Sequence, residues 1–165
     1  MNFKKIFIIL SGFQLTWLSC IFGQYFSIPL LGVFIGILYL LFFFYLNKDR
    51  KNTLKIIIFI SLIGCIFDNL LSFFGIFVIN SKYTLIYIPI WLIILWLCFS
   101  SLFVEVFLFL KNRPIISFLL GFFLVPPTYY VGIVLNIANS SSLITAMSLM
   151  AFFWGLLFFF YSKFK

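Results

Sequence analysis

Six long apolar stretches, each near the length needed to cross a bilayer, are separated by short polar or basic breaks. That alternation leaves few folds open to the chain, because a helical span needs about 20 predominantly apolar residues. The stretches run over residues 6–23, 29–46, 56–79, 84–110, 114–135 and 143–161. Of the 165 residues, 65% are hydrophobic and 8% are charged, whereas a soluble domain is about half apolar and about a quarter charged. A globular cytosolic enzyme, a disordered tail and a secreted disulfide scaffold are therefore excluded. The expected architecture is all-α: a polytopic membrane protein, a bundle of six transmembrane helices forming one domain over 1–165. The start, with Lys4 and Lys5 before an apolar run, resembles a signal peptide. It lacks a small-residue cleavage site, and Gln14, Thr16 and Trp17 interrupt its core, so an uncleaved first span is expected.

The net charge of +8 would suggest nucleic acid in a soluble protein. Here the basic residues sit at the ends of apolar stretches, which is a topology signal and not a nucleic-acid one. With the N-terminus inside, Lys4, Lys5, Lys48, Arg50, Lys51, Lys55, Lys111, Arg113, Lys163 and Lys165 all face the cytoplasm, and Lys82 alone faces out. This bias predicts a membrane protein with both termini cytoplasmic. The lipid bilayer is the expected surroundings, with a small-molecule or cation ligand, a membrane-protein partner and a homo-oligomer as candidate partners.

Chemistry-bearing residues are few. There is no histidine, which removes the usual general base and most metal sites. Cys20, Cys65 and Cys98 are widely spaced and lie in apolar stretches, so they are expected as small hydrophobes in helix packing. No metal and no cofactor is expected. Of the three acidic residues, Asp49 lies among basic neighbours, while Asp68 and Glu105 fall inside apolar stretches. At 1.5 Å per residue from the cytoplasmic end, Asp68 is expected ~18 Å deep and Glu105 ~8 Å deep. Glu105 is then within reach of Arg113, Lys111 or Lys55. Desolvation at the depth of Asp68 favours the neutral acid unless water, a proton or a cationic ligand compensates. The alternative is an acid that hydrogen-bonds Asn69, Gln14 or a tyrosine and pins two helices together.

The fifth stretch contains Pro126-Pro127, which removes two backbone donors and disfavours helical geometry just before them. Broken helices at mid-membrane form substrate and ion sites in many transporters; a kink capped by Thr128 or Tyr129 is the alternative. By the same depth count Gln14, Trp17, Asp68, Asn69, Trp96, Pro126 and Tyr129 share a slab and are the candidate ligand-binding set. Trp91 is expected at an interface. Gly32 and Gly36 form a GxxxG that allows close helix approach, within the chain or in a homodimer. Pro29 and Pro114 fall at expected helix starts.

These residues carry a resemblance. Phe13-Gln14-Leu15-Thr16-Trp17, then Gly64-Cys65-Ile66-Phe67-Asp68-Asn69-Leu70-Leu71 with Gly75, resemble an uncharacterised family of small bacterial membrane proteins, domain of unknown function 2878. The likeness continues through Pro89-Ile90-Trp91-Leu92-Ile93-Ile94-Leu95-Trp96 with Phe99, and Gly121 with Pro126, Tyr129 and Gly132. The resemblance implies a multi-span protein of the bacterial cytoplasmic (inner) membrane and no particular activity. The family pattern carries a His or Asn-His near Val104-Glu105, where this chain has none.

An enzyme is the least supported class: no Ser–His pair, no apposed aspartates, no phosphate-cradling glycine loop. The reading that uses most of the residues is binding or transport of a small solute, cation or proton around Asp68 and the Pro126-Pro127 break. The competing reading is a non-enzymatic assembly or interaction protein whose helices pack against a partner or lipid.

Overall fold

The computed structural model describes residues 3–163, and the chain is mostly helical. Lys165, counted above among the inward-facing basic residues, lies outside the described residues, as do the two chain ends given a cytoplasmic side. Six helical runs are present among the described residues, the fifth of them built from two helices: α1 (Phe3–Tyr25), α2 (Leu30–Leu46), α3 (Arg50–Phe73), α4 (Ile90–Glu105), α5 (Pro114–Leu124) with α6 (Pro126–Val134), and α7 (Leu143–Lys163). Four runs, Phe3–Tyr25, Arg50–Phe73, Pro114–Val134 and Leu143–Lys163, are long and apolar enough to cross a membrane; α2 and α4 are shorter apolar helices.

The third and fourth stretches differ most from expectation. The third was expected to remain helical to residue 79, but α3 stops at Phe73. Gly75 takes the left-handed conformation (φ 66°), and the Ile76 amide bonds back to the Leu71 carbonyl at 2.9 Å, a helix closure that favours glycine. The chain beyond it is extended as β1 (Phe77–Ile79), which pairs antiparallel with β4 (Ala138–Ser140). The fourth stretch was expected to be helical from residue 84. Instead β2 (Thr84–Leu85) and β3 (Ile88–Pro89) form a hairpin, and α4 begins after Pro89. The two-residue loop puts Ile86 at φ 60°, a conformation that β-branched residues rarely adopt. After Glu105 the chain tightens into a 3-10 turn, Phe107–Leu110. Pro29 is the N-cap of α2, and Pro114 is the first residue of α5, where a missing N–H costs nothing.

Contacts divide the chain into two compact units, Met1–Leu70 with Ser81–Val106, and Leu71–Asn80 with Phe107–Lys165. In the first unit, small residues set the packing. A β-carbon at Gly32 would meet the Cys20 backbone of α1, and one at Gly36 would meet Ile94 and Cys98 of α4 and Thr16 of α1. The face of α3 that turns inward repeats at helical spacing: Thr53, Ile57, Ile60, Ser61, Gly64 and Asp68 are buried.

In the second unit α5 and α7 are the closest pair. A β-carbon at Gly121 would run into the Trp154 carbonyl, and one at Gly155 would press on the Phe118 ring. The double proline disturbs the backbone less than expected. Val125, before Pro126, keeps right-handed helical angles (φ −88°, ψ −42°). Pro126 and Pro127 occupy the first turn of α6, where donors are not needed. The Val125 carbonyl accepts the Thr128 amide at 2.9 Å and the Thr128 hydroxyl at 2.7 Å.

Two glycine variants separate packing from backbone strain. Gly121→Ala should cost about 1–3 kcal/mol by forcing α5 away from α7. Gly75→Ala, with nothing within 4 Å of the added carbon, should cost about 1 kcal/mol through backbone strain alone. Thermal unfolding in mild detergent reads both, and Gly75→Asn should recover most of the second loss.

Candidate functional site

Helix α4 organises the first unit. Its burial is nearly complete along one side, with Trp91, Leu92, Trp96, Cys98, Ser100, Ser101, Leu102 and Phe103 all buried. Polar groups placed there must find partners on neighbouring helices, since an unpaired buried polar group costs free energy. They do so at successive levels. Trp91 donates its indole N–H to Gln24 of α1 at 2.9 Å. Trp96 donates to Asp68 Oδ2 of α3 at 2.6 Å. Ser100 meets Ser61 of α3 at 2.9 Å and donates to the Trp96 carbonyl at 2.7 Å. Ser101 meets the Tyr39 hydroxyl of α2 at 2.6 Å. Glu105, at the end of the helix, forms an ion pair with Lys5 of α1, and Lys5 also donates to Asn47 Oδ1 at 2.8 Å.

The Asp68 level is the centre of the candidate site. Asp68 is 5% exposed and Trp96 3% exposed, so the carboxyl and the indole N–H meet out of water. Gly64, one turn before Asp68, lies directly beneath the Trp96 ring, which a β-carbon would strike. Phe99 is set edge-on to Trp96 with centroids 6.1 Å apart, and Phe13 of α1 edge-on to Phe99 at 5.6 Å. Asn69 turns to the backbone: its amide donates to the Cys65 carbonyl at 2.8 Å, and its oxygen accepts the Tyr87 N–H at 3.1 Å. That second bond ties the β2–β3 hairpin to the end of α3, beside the carboxyl. Because α3 stops at Phe73, Asp68 lies only ~8 Å of helix rise from that end, not at the middle of a 24-residue span.

The structure thus brings Asp68 and Trp96 into contact, while the neighbouring Asn69 turns to Cys65 and Tyr87. Trp17 is half-buried on α1. Gln14 is exposed, whereas Ile9, Thr16, Cys20, Ile21 and Gly23 are the buried residues of α1; Thr16, two residues on, is rotated from Gln14 by ~200°. Pro126 and Tyr129 belong to the second unit, where Pro126 is buried and Tyr129 is edge-on to Phe77 at 5.6 Å and 6.5 Å from Trp154. Glu105 pairs with Lys5 and not with Arg113, Lys111 or Lys55, because the C-terminal end of α4 abuts the start of α1. Trp91, the second residue of α4, is buried, and Gln24 supplies its acceptor inside the unit. The serines at 61, 100 and 101 and Tyr39 were overlooked in the sequence; hydroxyls one turn apart on an apolar helix were the available signal. Cys20 and Cys98 are buried and Cys65 half-buried. Among the described residues no three His, Cys, Asp or Glu side chains cluster as a metal would need.

A helical chain with four helices able to cross a membrane, and a carboxyl buried against an indole, defines a class by architecture and not by reaction. Within that class the chain belongs to the family described as protein of unknown function (DUF2878), whose model matches residues 6–160, nearly the whole length. No curated protein matches the chain, and no solved structure does.

Trp96→Phe keeps most of the ring over Gly64 and removes only the N–H. It should lower stability by about 1–3 kcal/mol, the cost of removing a donor from a buried acceptor. Adding Asp68→Asn to Trp96→Phe should cost less than the sum of the two single changes. A double-mutant cycle of unfolding midpoints measures that difference.

Proposed function

We propose that this protein is a multi-span protein of the bacterial cytoplasmic membrane that binds a small solute, cation or proton at Asp68. The observation that carries the reading is the setting of that carboxyl. It is buried, it lies in an apolar helix, and the neutral Trp96 indole donates to it. A neutral donor can serve the acid in either protonation state, so the site can exchange a proton or a cation while the indole stays in place. Ionisable groups inside apolar helices are costly and are most often functional. The aromatic faces of Trp96 and Phe99 beside it would suit an apolar or cationic ligand.

The orientation is supported by what meets at the helix ends. In the first unit Lys5, Asn47 and Glu105 join the start of α1, the end of α2 and the end of α4. Gln24 and Trp91 join the opposite ends of α1 and α4. In the second unit the Asn112 amide bonds the Ser162 carbonyl at 2.9 Å, joining the start of α5 to the end of α7. Within each unit the ends that carry basic residues therefore gather, as the positive-inside rule requires of one membrane side. Pro126 and the Val125 carbonyl would contribute to a second, separate feature of transport, a helix able to bend.

The test is thermal unfolding of the detergent-purified protein, followed by tryptophan fluorescence, with cations, amines, vitamins and a pH series as ligands. A solute at 100 times its dissociation constant should add about 2.7 kcal/mol of apparent stability. The expected result is a shift specific to one ligand class, or to proton concentration, that Asp68→Asn abolishes and Glu105→Gln retains. A shift unaffected by Asp68→Asn would place the binding elsewhere and overturn the reading.

A further inference from the structure

Gln14 occupies an unusual position. It is the central residue of α1, a 23-residue helix, and lies roughly 16 Å of helix rise from either end. In a bilayer that is the depth at which an amide has no water. Yet Gln14 is exposed, and it makes no hydrogen bond to any described residue. Its exposed apolar neighbours on α1 include Phe7, Leu15, Leu18 and Phe22, with exposed Ser11 one turn before it; half-buried Trp17 and buried Ile21 border it on the other side. Hydrocarbon satisfies those four side chains but not the amide, which brings two donors and an acceptor into a medium that offers neither.

We propose that two copies of this chain associate through the exposed face of α1, with the Gln14 amides hydrogen-bonded to one another across a two-fold axis. Three observations favour a second copy as the occupant. An amide is its own complement: each supplies an N–H to the other's carbonyl oxygen, so one pair forms two bonds. Copies inserted in the same orientation are related by an axis along the membrane normal, which puts the two Gln14 side chains at equal depth without any further adjustment. Ser11, small and on the same face, lets the two helices approach closely at the adjoining turn. The motif that would ordinarily be assigned to dimerisation is already used: Gly32 and Gly36 pack on α1 and α4 of their own chain. The inference stands apart from the Asp68 reading, because Gln14 and the buried face of α1 point in different directions.

The experiment is single-molecule photobleaching of the full-length chain, fluorescently tagged at its C-terminus, in lipid vesicles over a range of protein-to-lipid ratios. Wild type should show two-step bleaching that falls to one step on dilution into lipid. Gln14→Leu should need about tenfold more protein per lipid to reach the same dimer fraction, in the range expected for losing interhelical hydrogen bonds. Gln14→Asn, with the same amide on a shorter stem, should recover most of the association. Unfolding midpoints of the monomers in detergent keep the result interpretable, and Gln14→Leu should match or exceed wild type. A wild type that stays monomeric at every ratio overturns the proposal, as does a Gln14→Leu chain that dimerises like wild type. A lowered monomer midpoint for Gln14→Leu also overturns it, because the amide's partner would then lie within the chain.

Discussion

Between apolar helices a polar side chain has nowhere to send its hydrogen bonds except to a neighbouring helix, and α4 turns that obligation into architecture. Its rungs at Trp91, Trp96, Ser100, Ser101 and Glu105 reach α1, α3 and α2. Apolar contact alone would leave these helices free to rotate or slide, since one hydrocarbon face packs much like another. Hydrogen bonds are directional, and a set of them spaced along 16 residues defines both rotation and register. Each is worth on the order of 1 kcal/mol net between helices in a membrane. Their larger effect is on alternatives, because any slip strands several buried groups at once.

Small residues complete what the hydrogen bonds begin. Gly64 gives Trp96 the room to reach Asp68, so the donor–acceptor pair depends on the absence of a side chain one turn away. Gly32 and Gly36 bring α2 close enough for Tyr39 to meet Ser101. In the second unit the same role falls to Gly121 and Gly155, where α5 and α7 approach backbone to side chain with little polar help. The two units thus use different means: the first is held by paired polar groups admitted by glycine, the second mainly by close apolar packing and the β1–β4 strand pair.

Most of the helices were legible from hydropathy because apolar length is what a bilayer-sized helix requires. Their ends were less so. Phe74–Ile79 and Tyr83–Pro89 are rich in apolar residues, and apolar content does not distinguish helix from strand. The physical stops were Gly75 and Pro89, single residues whose backbone preferences outweigh the surrounding hydropathy. Asp68 and Trp96 stood out as polar groups in apolar stretches, and the structure places them in contact. Gln14 was grouped with them by depth, a coordinate that sequence supplies; azimuth about α1 separates it from Thr16, and that depends on which neighbours the helix faces. The same holds for Glu105: the sequence offers Arg113, Lys111 or Lys55, while the fold brings Lys5 from near the start of the chain.

The division of the chain carries a consequence for its synthesis. The first unit is interrupted by Leu71–Asn80, which belongs to the second, so the polypeptide passes from one unit to the other three times. Strand β1 emerges with that early segment, but its partner β4 follows some 60 residues later. At translation rates of about 5–20 residues per second, Phe77–Ile79 waits roughly 3–12 s for its pairing edge. During that interval the first unit can already close, since its last element ends at Val106. Assembly therefore has a built-in order, with the helix that carries Asp68 anchored at one end before the strand that continues it has anything to bind.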